Sequence, residues 1–139
     1  MAINFIDIDR HAVLGGRRAV KKWIEEAIQE EGYTLAEITI AFCSDSYIVS
    51  ENTKFLGHTY ATDIITFDNS SHREASADLL VSVETVASNA TQFGVSASDE
   101  LLRVMIHGVL HIIGYDDTDP AKQEKMTERE NHYLSKFHK

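Results

Sequence analysis

The chain has 139 residues, too few for two self-sufficient cores, so a single domain spanning 1–139 is expected. Hydrophobic residues at 43% and charged residues at 25% are ordinary globular values, and one Pro with seven Gly excludes collagen-like and Pro/Gly-rich disordered chains. Thirteen Lys and Arg against twenty-two Asp and Glu leave a net charge of −9, which repels polyanions at long range and counts against nonspecific nucleic-acid binding. No apolar stretch approaches the ~18 residues that span a bilayer, and the first ten residues carry neither a basic nor a long apolar leader region. A cytoplasmic protein without membrane attachment is expected.

Ile3 to Asp9 alternates apolar and polar residues, the period of a first strand. Gly15-Gly16 breaks it. Val20, Trp23, Ile24, Ala27 and Ile28 then recur on one helical face, with Gly32 placed as a C-cap, so a helix is predicted over 17–31. Leu35 to Cys43 reads as a second, buried strand. Its Cys43 is the only cysteine and is expected to be a packing thiol in a reducing compartment. Ser44 and Asp45 look like the start of a short helix ending near Leu56-Gly57, and Thr62 to Phe67 is a β-branched, aromatic third strand. A polar loop over 68–74 leads to a fourth strand at 78–83, expected to pair beside the third, and a helix over 84–93 closed by Gly94.

Ser98 reads as the start of the next helix, which is apolar nearly all round from Leu101 to Ile113 and so belongs at the centre. Asp119-Pro120 opens a last helix with an N-cap and a Pro at its first position. The fold class is therefore α+β (mixed α/β), a small four-stranded sheet flanked by four to five helices, with a strand order that the pattern leaves open.

On the central helix, His107 and His111 are four residues apart and so share a face, where both imidazoles can reach one ion. Two imidazoles without a partner would be costly to bury there. Gly114 follows the second His by three residues, a place to take positive φ and turn the chain back, and Asp117 follows by six. Spacings of four and six with the intervening Gly share the skeleton of the metzincin zinc proteases. Those proteases carry a general-base Glu directly after the first His, and this chain has Gly108 there, which argues against peptide hydrolysis. The ligand set read from the spacing is His107, His111 and Asp117, holding one divalent metal at the end of the central helix, with Zn2+ the expected ion.

The segment resembles the YbeY family of metal-dependent endoribonucleases of ribosomal RNA maturation, whose signature is His-Gly-x-Leu-His-Leu-x-Gly-Tyr-Asp-His. His107-Gly108, Leu110-His111 and Gly114-Tyr115-Asp116 match in place. The block from Thr62 to Phe67, the strand from Asp78 to Ser82, Asn52 and Phe55, and Met126 with Glu130 match further family positions. The resemblance implies a small mixed sheet flanked by helices around a central metal, RNA as substrate, and ribosomal RNA or the ribosome as partner. In two places the chain departs from the family. Asp117 replaces the third His, an acceptable ligand that makes the site less positive and more tolerant of harder metals. Leu56 stands where the family has Arg, removing the natural bidentate clamp for a phosphate; Arg103, one turn before His107, is a candidate substitute, with an ion-paired role as its alternative.

Asp116 is expected to be a turn residue, Asp63 a strand-end acid and Tyr115 a core residue, and His11, His58, His72, His132 and His138 surface groups. Arg17, Arg18, Lys21 and Lys22 crowd the first turns of the first helix, opposed to its dipole, and form a candidate RNA phosphate site. The expected function is a zinc-dependent endoribonuclease. The alternatives are a metalloprotease, or a ribosome-associated factor in which the metal only fixes the fold, and an open coordination position would favour an enzyme.

Overall fold

A computed structural model describes residues 3–12, 14–57 and 62–138, without the side chains of Phe55 and Leu56. The elements in chain order are β1 (Ile3–Asp7), α1 (Arg17–Glu30), β2 (Thr34–Cys43), α2 (Asp45–Leu56), β3 (Ile64–Asp68), β4 (Glu74–Ser82), α3 (Val83–Phe93), α4 (Ala97–Ile112) and α5 (Pro120–Phe137). The mixed sheet has the order β1-β2-β4-β3. β1 and β4 both run parallel to β2, and β3 pairs antiparallel to β4, with Ile64 opposite Val81 and Asp68 opposite Ala77. β1 and β3 are thus the two edges.

The period of two in the strands sorts the core. Ile38, Ile40 and Phe42 of β2 and Ala75, Ala77, Leu79 and Val81 of β4 pack with α1, α4 and α5 on one face. On the other, Cys43, Ile48 and Ile65 pack with Tyr47, Phe67 and Leu80. The face of α1 that is buried consists of Val20, Trp23, Ile24, Ala27 and Ile28, as its periodicity requires, each contributing about 1.5–3 kcal/mol for a large side chain and less for Ala. Trp23 Nε1 donates to the Tyr133 carbonyl at 2.7 Å and its ring meets Phe137 edge-on, tying α1 to α5. Cys43 is fully buried, donates to the Val81 carbonyl at 3.5 Å, and has its pKa pushed up to about 12 by burial.

Glu30 and Glu31 stand at the end of α1 that the helix dipole disfavours, and α5 explains them. Glu30 accepts from Lys136 and His132, which pull its pKa down to about 2. Glu31 accepts from Arg129, Tyr115 and Tyr133; burial pushes its pKa up, and these bonds outweigh that and hold it low. Tertiary ion pairs here override local helix electrostatics.

Several boundaries depart from the expectations. β1 ends at Asp7 rather than Asp9, β3 begins at Ile64, and β4 begins at Glu74 because the reversal at His72 and Arg73, both at positive φ, is shorter than a loop over 68–74. The cap of α4 is Ser96, whose hydroxyl accepts from the Asp99 N–H, and not Ser98. Nor is α4 apolar on every face: Arg103, His107 and His111 form a half-buried stripe. No helix among the described residues is long and apolar enough to cross a membrane.

Candidate metal centre

Gly108 sets how α4 lies on the sheet. A Cβ there would stand 2.6 Å from Ile64 Cδ1 and 3.4 Å from Leu79 Cδ1, so the bare backbone lets the helix settle onto β3 and β4. The same contact crowds any side chain at this position, and Gly108 itself offers no general base. One residue back and three further on, His107 and His111 come side by side, their ring centroids 4.8 Å apart. Gly114 takes φ 110°, and the Tyr115 N–H returns to the Leu110 carbonyl, so the chain reverses as its sequence suggests. Asp116 spends its carboxylate on this reversal, accepting from the N–H groups of Asp117 at 2.6 Å and Thr118 at 3.0 Å and from the Thr118 hydroxyl. Asp117 is left to face the helix.

Asp117 Oδ2 lies 3.5 Å from His107 Nε2, and its Oδ1 lies 3.5 Å from His111 Nε2. The three side chains offer donor atoms that all lie within 4.8 Å of one another. Donors bound tetrahedrally at about 2.1 Å stand about 3.4 Å apart, so two imidazoles and a carboxylate here fit one divalent ion with little movement. The side chains are 26%, 33% and 39% exposed, and no fourth donor joins them among the described residues, so the group opens to solvent.

A residue outside the motif orients the first His. Glu130 of α5, only 8% exposed, accepts from His107 Nδ1 at 2.6 Å. With Nδ1 carrying the proton, the Nε2 lone pair is presented to an ion, the carboxylate–histidine arrangement common at metal sites. Burial pushes the His107 pKa down, but the Glu130 hydrogen bond and charge, with Asp117 and Asp63 beyond, raise it overall. Glu130 also accepts from Arg103 at 2.8 Å, and Arg103 reaches Asn131. The family match at Glu130 marked it in the sequence, but its task could be seen only once α4 and α5 were packed. Glu100, two turns before His107, reads in the sequence as an acid favoured by the helix dipole in the first turn, and the structure buries it to 5% exposure; burial raises its pKa.

The structure brings His107, His111 and Asp117 together and leaves the basic cluster elsewhere. Arg17 reaches Asp7 at 3.3 Å and lies over Phe5 and Phe42, and Lys21 lies over Phe5, all at the β1 edge, with Arg18 and Lys22 exposed beside them. The donor group lies beside β3, the opposite edge. Arg103 is ion-paired with Glu130. Tyr115 packs against the core and donates to Glu31, and the Asp63 carbonyl accepts from Ser82 at the strand end. His11, His72 and His138 are exposed and His132 is half-buried against Glu30, while His58 lies outside the described residues. Two cavities of about 280 Å3 flank the group, one lined by Thr66, Asp68, His111 and Ile112, the other by Gly114, Tyr115, Asp116, Lys122 and Lys125.

A mixed α/β domain with two helical imidazoles and a carboxylate at one open point has the form of a single-ion site of a metallohydrolase. The sequence model of the family described as Endoribonuclease YbeY matches residues 7–138. Relatives named Endoribonuclease YbeY include that of Bacteroides thetaiotaomicron, 44% identical over 86% of this chain and 87% of its own length, and that of Flavobacterium johnsoniae, 39% identical over 98% and 97%. The solution structure of TM1509 from Thermotoga maritima superposes with a TM-score of 0.70 at 25% identity, covering 97% of this chain and 88% of the other. The chain belongs to the endoribonuclease YbeY family.

Proposed function

We propose that this protein is a metal-dependent endoribonuclease that hydrolyses RNA phosphodiester bonds in ribosomal RNA maturation, with Zn2+ at His107, His111 and Asp117. The observation that carries the reading is the open three-donor group with Glu130 behind His107. A structural ion is usually enclosed by four protein donors, whereas a catalytic one keeps a position for water or substrate. A divalent ion bound here supplies Lewis acidity toward a phosphoryl oxygen and acidifies water. The chain supplies the rest. His107 and His111 present lone pairs from one helix face, Glu130 keeps the His107 proton on Nδ1, and the Asp116 turn aims Asp117. The family names of the relatives give RNA as substrate, and Gly108, with no side chain to act as general base beside His107, weighs against peptide hydrolysis.

The test is metal analysis of protein prepared without chelator or added metal, with cleavage assays on structured RNA and on casein. Near one zinc per chain, RNA cleavage that a chelator abolishes and that zinc restores, and intact casein are expected. His111→Ala should lose both metal and cleavage. Near-stoichiometric metal in that variant would remove the ligand assignment, and a fully loaded wild type that leaves RNA intact would favour the non-catalytic factor.

A further inference from the structure

β3 is an edge strand, and its period of two directs Ile64, Thr66 and Asp68 toward α4 while Ile65 and Phe67 turn to the opposite core. Ile64 meets the helix at Gly108, and one turn further along α4 the same strand face opens into the 280 Å3 cavity shared with His111 and Ile112. The cavity therefore adjoins the metal donors directly through His111. Its walls are chemically distinct: Ile112 is apolar and 4% exposed, Thr66 brings a hydroxyl, and Asp68 brings an exposed carboxylate. Asp68 Oδ1 accepts the Ser70 N–H at 2.9 Å, which biases the carboxylate orientation while leaving acceptor capacity on both oxygens.

This charge decides what enters. A carboxylate repels a phosphodiester, so the backbone belongs at the metal and on the far side, where Lys122 and Lys125 line the other cavity. The partners of Lys122, Asp116 at 3.5 Å and Asp119 at 3.9 Å, are solvent-exposed and hold it weakly. The Asp68 side is left for a base or sugar. The two coplanar acceptors of a carboxylate match two adjacent N–H donors, and among the RNA bases guanine presents such a pair, N1–H and N2–H, on its Watson–Crick edge. Adenine and cytosine place an acceptor beside their amino group.

We infer that the cavity of Thr66, Asp68, His111 and Ile112 is a guanine nucleotide subsite next to the scissile phosphate, with Asp68 the specificity-determining residue. Asp68 accepts from N1–H and N2–H, the Thr66 hydroxyl donates to O6, and the little of Ile112 that is exposed forms the apolar floor. The inference deepens the endoribonuclease reading and rests on it for its biological meaning, although binding tests it independently of cleavage.

The experiment is calorimetric titration of the metal-loaded chain with GMP, AMP and IMP. Bidentate base contacts discriminate by roughly tenfold or more, so GMP is expected to bind about tenfold more tightly than AMP, and several-fold more tightly than IMP, which lacks the N2 amino group. Asp68→Asn, which replaces one acceptor with a donor, should bring the three together with metal content unchanged. Equal affinity of the wild type for all three nucleotides overturns the subsite without any variant, as does a preference that survives in a folded Asp68→Asn. Parallel incubation with RNA separates the two readings: selective GMP binding without cleavage upholds the subsite and refutes the hydrolase, and cleavage without GMP preference does the reverse.

Discussion

Glu130→Gln isolates the contribution of a residue that touches no ion. Glu130 accepts from two donors at once, His107 Nδ1 at 2.6 Å and Arg103 at 2.8 Å, from a position only 8% exposed. A Gln of the same shape has one acceptor oxygen, so either its NH2 group confronts Arg103 or it confronts His107 and drives the imidazole proton onto Nε2. The second outcome removes the lone pair that an ion needs. Losing a hydrogen bond between charged or chargeable groups costs about 1.5–3 kcal/mol, and the Arg103 half contributes the smaller share because Arg103 is 36% exposed. Metal affinity is expected to fall roughly 10- to 100-fold, with one ion per chain still bound at saturation. Chelator competition gives the affinity directly. The metal-free protein supplies a second readout through pH. Glu130 raises the His107 pKa above its ordinary 6.5, so the associated stability is fully present below about pH 6.5 and is lost as pH rises through the raised value. In Glu130→Gln that loss should flatten. An unchanged metal affinity would show that Glu130 does not act through His107.

Other outcomes follow from single groups. Asp117→His should keep the metal and move the pH optimum of hydrolysis downward, because a neutral ligand leaves more positive charge at the ion; complete loss of metal would mean that Asp117 is not the third ligand. Glu100 is buried with a raised pKa, so its ionisation opposes folding, and the penalty is absent below about pH 4.5 and grows as pH rises through the raised value. Glu100→Gln should accordingly raise the melting temperature at pH 7–8 and leave it unchanged at strongly acid pH, and equal melting temperatures at both would refute the cost. Gly108→Ala gains up to about 1 kcal/mol of helix propensity but crowds Ile64 at 2.6 Å, where overpacking costs roughly 1–3 kcal/mol, so a net loss near 1 kcal/mol in urea unfolding is expected. A more stable variant would show that Ile64 turns aside freely. Replacing Arg17, Arg18, Lys21 and Lys22 together by Gln should weaken RNA binding and flatten its dependence on salt while metal content stays constant; an unchanged slope would make the β1 edge ordinary surface.

The local features were legible in the sequence because each depends on residues close together in the chain. The helical period of Val20, Trp23, Ile24, Ala27 and Ile28, the Asp119-Pro120 start, and the turn of Gly114 that carries Asp117 back to His107 and His111 are each set within a dozen residues, and each stands where expected. The cap at Ser96 was misplaced because Ser96 and Ser98 are both good N-caps, and the choice between them falls to the packing of the whole helix. The strand order, with β4 between β2 and β3, was not legible at all, since the same alternation of apolar residues suits any neighbour. Nor was the placement of Glu130 and Asp68 beside the donor group, or the burial of Glu100. These residues come from three separate elements, and what each does is set by distances across α4, α5 and β3 that exist only after the sheet and helices have packed. Sequence spacing determined which donors could share an ion, because a helix turn is a local, rigid ruler. Tertiary packing decided which carboxylate orients His107 and which cavities flank the site, because burial and hydrogen-bond partners belong to surfaces brought together from distant parts of the chain.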